Sequence, residues 1–174
     1  APDSPANIYV GSRMERIVGF DHSQDTYKPI VNADGEYFGS ALGDLFFLSQ
    51  YEFLVADGLN DKILRYDVNG TLIKAIDFNN PLAFLALDDG EILVLSRTAD
   101  ISGSIFSIMN KDLEFETHSI ELLNDLGYPV MARSMCFGRN DNEILVLDEY
   151  YGDVIRVDLS ELRKAISRGD ASFM

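Results

Sequence analysis

Two aspartates, Asp57 and Asp148, close apolar runs of the same kind, FLVAD and ILVLD, and matched carboxylates are the first candidates for chemistry in this chain. A hard cation such as Ca²⁺ takes six to eight oxygen ligands, which makes Asp57 and Asp148, with their acidic neighbours, a candidate calcium site. Against this, serines stand at the matching positions of two further runs, Ser12 and Ser96, and no EF-hand spacing is present. The structural alternative is that an aspartate at a strand end accepts hydrogen bonds from its own turn.

The four runs are each followed by a polar turn that carries at least one acid. These turns hold Ser12, Arg13, Glu15 and Arg16; Asp57, Asn60 and Asp61; Ser96, Arg97, Thr98 and Asp100; and Asp148, Glu149, Tyr150, Tyr151 and Asp153. Protein interfaces concentrate Arg and Tyr, so Arg13, Arg16, Arg97, Tyr150 and Tyr151 are candidate anchors for a protein or peptide partner. The alternative reading packs the tyrosines between sheets and pairs the arginines with neighbouring acids.

Enzyme chemistry has fewer supports. Histidine is the commonest general base, and only His22 and His118 are present, which leaves acid–base work to carboxylates and gives too few ligands for a His-rich metal centre. No G-x-S-x-G, Walker loop, dinucleotide fingerprint or C-x-x-C occurs. The single cysteine, Cys136, has no partner for an internal disulfide and reads as a small core residue in SMCF. Arg168-Gly169-Asp170 reads as an element stop and Asn69-Gly70-Thr71 as a hairpin turn, rather than as an integrin tripeptide and a glycosylation site.

The elements that position these residues repeat. Residues 51–76 read as three strands: an apolar run at Phe53, Leu54 and Val55, a second at Ile63, Leu64 and Tyr66, and, after Asn69-Gly70, a third at Leu72, Ile73 and Ile76. Asn-Gly between apolar runs is a strong hairpin signal. The pattern recurs over 7–30, 91–120 and 143–166, and three copies are preceded by a further apolar segment, at Leu45–Leu48, Leu82–Leu87 and Met131–Phe137. The matched runs begin at Ile8, Phe53, Ile92 and Ile144, a spacing of roughly 40–50 residues, which is the size of a propeller blade or solenoid coil. Antiparallel units with apolar residues on both strand faces favour the propeller.

The expected fold is therefore all-β, a β-propeller of four-stranded antiparallel blades in about four repeats. A single domain over 1–174 is expected, with repeats of about 1–31 plus 169–174, 43–77, 82–120 and 130–167. GDASFM (169–174) can be laid on GDLFFL (43–48), which predicts that the C-terminal strand joins the N-terminal blade and closes the ring, leaving no free sheet edge. A one- or two-turn helix is predicted over Ser119–Gly127. The stretch Ser160–Gly169 reads either as a capped helix or, by alignment of LRKAI with LIKAI, as a strand.

Composition bounds the rest. With 174 residues, 47% of them hydrophobic, the chain suits a packed core rather than disorder. Its 29 acidic residues against 14 basic give a formal charge of −15, which repels nucleic acid and anionic lipid. Such acidity serves solubility first and a cationic or basic partner second. No run of 18 apolar residues is present to span a membrane. The opening APDSPAN is like the start of a mature secreted chain, so a secreted or periplasmic location is expected.

FLVADGLNDKILRYDVNGTLIKAI, with PLAFLALDDGEILVL in the next repeat, resembles the NHL-type β-propeller repeat and the related YWTD-type repeat. The likeness is good over 51–96, fair over 130–166 and poor in the first repeat. It implies that the turns after the second strands share one face with the links between blades, and that this face around the channel is the ligand site. Such families build rings of six blades, whereas four repeats are counted here. That leaves a compact four-bladed ring, a homodimer completing eight blades, or part of a larger propeller. The function expected is a non-enzymatic scaffold that binds a protein or ligand on one ring face without a cofactor. The alternative is a calcium-dependent hydrolase or lyase.

Overall fold

Short apolar runs, broken by turns rich in Asp, Asn and Gly, make more than half of the described residues into strands, nearly all of them antiparallel. The computed structural model describes residues 8–11, 16–21, 26–32, 42–87, 90–110 and 112–174, with side chains from 43 onward except at 88–89, 111 and 115–118. The chain divides into two compact units, Ala1–Phe78 and Asn79–Met174, a boundary that falls between the second and third sequence repeats.

In the first unit, β1 (Ile8–Gly11), β2 (Arg16–Asp21) and β3 (Thr26–Asn32) form one meander. A second meander joins β4 (Leu42–Phe47), β5 (Glu52–Asp57), β6 (Lys62–Asp67) and β7 (Leu72–Asp77) in sequence order. Every residue from Phe53 to Asp57 is buried, so β5 is covered on both faces. Phe53 lies opposite Tyr66 and Phe47 and stacks on the Tyr66 ring at 5.6 Å. The predicted β6–β7 hairpin is present, but its turn is a three-residue loop rather than a two-residue one. Gly70 alone takes a left-handed φ of 88°, its N–H donates to the Asp67 carbonyl at 3.0 Å, and the Asp67 carboxylate accepts from Asn69 and Thr71.

The second unit has two sheets. β8 (Pro81–Ala86), β9 (Ile92–Arg97), β10 (Ser104–Met109) and β11 (Phe115–Leu122) form one meander, with Pro81 opening the edge strand, where a residue without an N–H costs least. The other sheet is β12 (Ala132–Phe137), β13 (Glu143–Asp148) and β14 (Val154–Asp158). Leu93, Leu95, Phe106, Ile120 and Leu122 from the first share one core with Ala132, Ile144, Val146 and Val157 from the second.

After β14 the chain turns into α1 (Leu159–Arg168). This settles the ambiguous LRKAI in favour of helix. Asp158 caps the amino end by accepting from the Glu161 N–H at 3.1 Å. Gly169 ends the helix at φ 72°, and Leu159, Leu162, Ala165 and Ile166 are buried at helical spacing. The aligned LIKAI of β7 is mostly exposed, which suits an outer strand. The fourth repeat consequently has three strands and a helix, and the first has three described strands, so the uniform four-stranded blade holds for the second repeat and for β8–β11 of the third.

Three further expectations are corrected. The C-terminal strand does not join the N-terminal blade but pairs within the second unit. The strand β15 (Ser172–Phe173) runs parallel to Glu121–Leu122 and adds a fifth strand beyond β11, because the Gly169 reversal of α1 delivers the tail to that edge. The Glu121 N–H donates to Ala171 and the Leu123 N–H to Phe173, at 3.1 and 2.8 Å, and Phe173 packs against the second unit's core. Second, Ser119–Gly127 forms no helix: Ile120 and Leu122 are buried in alternation with Ser119 and Glu121, a strand period, and the chain then turns at 124–127. Third, Cys136 is exposed, because a register shift between Ala132 and Ser134 turns Met135 and Phe137 to the core instead.

Phe106 is fully buried at the centre of the second unit's core. Phe106→Ala should lower the unfolding free energy by about 3–5 kcal/mol in urea titration, the usual cost of emptying a large core site. A loss below about 1 kcal/mol would contradict this packing.

Candidate functional site

The turns after the second strands are built by side chains that fold back on them. Asp57 ends β5 with its side chain buried, and its carboxylate accepts from the Asn60 N–H at 3.2 Å and from Asn60 Nδ2 at 2.8 Å. In the other unit Asp148 does the same at the end of β13, accepting from the N–H groups of Tyr150 at 2.8 Å and Tyr151 at 3.4 Å. Both aspartates thus hold their own turns. Among the described residues no group of three or more His, Cys, Asp or Glu side chains is arranged to hold a metal ion.

In the third repeat the turn is organised by Asp100 instead. Its Oδ1 accepts from Thr98 Oγ1 and Ser102 Oγ, each at 2.7 Å, and from the Ser102 N–H at 3.1 Å. The two hydroxyl donors, with the backbone N–H behind them, hold the carboxyl down at about 2.

Arg97 brings the two sheets of the second unit together at this end. Its buried guanidinium donates to Glu149 Oε2 at 2.7 Å and reaches Met131 Sδ at 3.6 Å, while Glu149 Oε1 meets Arg133 at 3.4 Å. Of the two readings of the arginines, Arg97 follows pairing with an acid. Tyr150 and Tyr151 pack edge to face on each other at 4.8 Å and are 74% and 54% exposed, not held between sheets. Asn60 and Asp61 stay on the β5–β6 turn, where Asp61 takes a φ of 52° and its carbonyl accepts from Phe78. Arg13, His22 and the side chains of Arg16 and His118 lie outside the described residues.

An open concavity of the second unit, about 540 Å³, lies where this turn face meets the link between β11 and β12. Asn124, Leu126 and Tyr128 form one wall and Tyr151, Asp153 and Val154 the other. Leu126, Tyr128, Tyr151 and Val154 are all more than half exposed. The link wall is what the sequence pattern hides, since 119–127 carries helix start and stop signals. The signal that marks it is Asn124 followed by Gly127. Asn124 Oδ1 accepts from the N–H groups of Leu126 and Tyr128, each at 3.0 Å. Gly127 then adopts φ 77°.

No family model matches this chain, and no curated protein matches it. Solved structures do. Hydrazine synthase of Kuenenia stuttgartiensis superposes with a TM-score of 0.69 at 8% identity, covering 96% of this chain and 53% of that one. A protein of unknown function from Bacteroides caccae gives 0.60 at 13% identity, covering 82% and 55%. Virginiamycin B lyase from Staphylococcus aureus, in a catalytically inactive H270A form with quinupristin, gives 0.55 at 15% identity, covering 88% and 55%. Hydrazine synthase and virginiamycin B lyase are β-propeller-type proteins, so the likeness supports a propeller-like fold for these antiparallel sheets. At these identities the likeness shows the fold alone, and the chain spans about half the length of the chains it matches.

Three outcomes check this geometry. Because the folded-state pKa of Asp100 is depressed to about 2 from 3.8, its contribution is complete above 3.8 and lost as pH falls through 2. Asp100→Ala should therefore lower the melting temperature at pH 7, and the gap to the unaltered protein should close between about pH 4 and 2. A gap independent of pH would contradict the assignment. Glu149→Ala strips the buried Arg97 of its carboxylate. It should destabilise by about 1–2 kcal/mol in urea titration, the cost of leaving a buried donor without its partner. Arg133 lies on the exposed side of the same carboxylate. Arg133→Ala should change stability by less than about 0.5 kcal/mol, as exposed ion pairs usually do.

Proposed function

We propose that this chain is a non-enzymatic propeller-type scaffold, of NHL- or YWTD-like repeats, whose turn face receives a protein or peptide. The carrying observation is the exposure of Leu126, Tyr128, Tyr151 and Val154 around one open concavity. Large apolar side chains gathered at a concave site mark binding surfaces, whereas single exposed apolar residues do not. The tight turns beneath them support this reading, since Asp148 and Asn124 spend their side-chain oxygens on backbone N–H groups and so pre-set both walls.

The calcium-dependent alternative needs oxygens free to reach a cation. Asp57 turns both carboxylate oxygens, and Asp148 its Oδ1, to neighbouring turn donors, so the geometry favours the scaffold.

Clones selected from a displayed random-peptide library on the unaltered protein should bind at least about tenfold more weakly to a Leu126→Ser, Tyr151→Ser double variant of unchanged melting temperature. Clones indifferent to that variant would place binding elsewhere. Melting with and without EDTA should agree to within about 1 °C. A fall of many degrees, reversed by added Ca²⁺, would favour the metal-dependent alternative.

A further inference from the structure

β14 ends its sheet: β13 pairs with one side of it, and among the described residues no strand pairs with the other. The phase of the ladder fixes which backbone groups are left over. The Asp148 N–H donates to the Asp153 carbonyl at 2.9 Å, so in antiparallel alternation Ile155 and Val157 turn their backbone groups toward β13, while Val154 and Arg156 direct theirs outward. In the neighbouring sheet the matching place beyond the third strand is filled by β11. Here the chain leaves for α1 instead.

Two concavities border this edge. The one of about 540 Å³ lies at its Val154 end and a second, of about 430 Å³, at its Asp158 end, with Arg156 lining both. The first concavity is acidic, with Asp125, Asp148 and Asp153 against Arg156, whereas at the second Glu143 and Asp158 are balanced by Arg139 and by Arg156, which approaches Glu143 at 3.8 Å. The chain as a whole carries −15. Unpaired strand donors and acceptors flanked by acids are complementary to an extended backbone that carries positive side chains.

We propose that β14 accepts an extended basic peptide as the fourth strand of its sheet. This rests on the scaffold reading and names its ligand. Backbone hydrogen bonds to Val154 and Arg156 supply the docking, as in other cases of strand addition, and alternate Lys or Arg side chains of the peptide reach Asp125 and Asp153 at the Val154 end.

The probe is fluorescein-labelled acetyl-Lys-Val-Lys-Val-Lys-Val-Lys amide, followed by anisotropy at low salt, beside the same peptide with Glu for Lys. Arg156→Pro removes an outward N–H that β13 does not use, and Arg156→Ala keeps it. The Lys peptide should bind Arg156→Ala at least as tightly as the unaltered protein, Arg156→Pro at least tenfold more weakly than either, and the Glu peptide at least tenfold more weakly than the Lys peptide. Should Arg156→Pro fail to fold, peptides N-methylated on all Lys or on all Val decide, and only one of the two sets should lose binding. Equal binding by Arg156→Pro, loss with both or with neither methylated set, or no binding of the Lys peptide overturns strand addition. Library clones that still require Leu126 and Tyr151 in those cases leave the turn-face reading standing. A dimer in sedimentation that Arg156→Pro dissolves would make a second copy, not a peptide, the occupant.

Discussion

The second unit depends on one apolar layer that two sheets and a helix bury together. Strand side chains alternate, so β13 can give Ile144 and Val146 to this layer only by turning Leu145 and Leu147 away from it. Leu93, Leu95 and Phe106 meet them from the other sheet, and Leu162, Ala165 and Ile166 of α1 complete the layer. Each large side chain buried there contributes about 1.5–3 kcal/mol, against which single surface ion pairs are small. The layer also fixes the ends of its strands, and the candidate site is built on those ends.

The acids of the turn face are committed to structure before any ligand is considered. Asp148 and Asp100 each satisfy donors of their own turns, and Asp57 does so in the first unit. An ionised carboxylate that accepts two or three such bonds stiffens a loop and holds its neighbours in place. Tyr150 and Tyr151 stand exposed on the turn that Asp148 holds, and Leu126 and Tyr128 on the one that Asn124 holds. Rigid turns that present aromatic and apolar side chains lose little conformational entropy on binding, which is the property a recognition face needs.

Much of this was legible in the sequence. The meanders at 52–77 and 81–122 follow from period-two apolar runs and turn residues, and the capping role of Asp57 and Asp148 follows from their place at strand ends. What was not legible had specific causes. LRKAI and LIKAI are nearly the same string, and only the Asp158 cap and Gly169 stop separate a helix from a strand. The tail 169–174 resembles the start of β4, yet α1 shortens the path and sets it beside β11. At 119–127 the apparent helix signals belong to an asparagine-centred turn, so one whole wall of the concavity was hidden. The exposure of Cys136 turns on a register shift that no side-chain pattern announces.

Among the described residues the two outer strand edges of the second unit have opposite states, β11 covered by the tail and β14 open. Amide hydrogen exchange followed residue by residue reads both at once. The account predicts slow exchange at Glu121 and Leu123, whose N–H groups donate to Ala171 and Phe173, and fast exchange at Val154 and Arg156 in the free protein. Fast exchange at Glu121 and Leu123, or strong protection at Arg156, would contradict it.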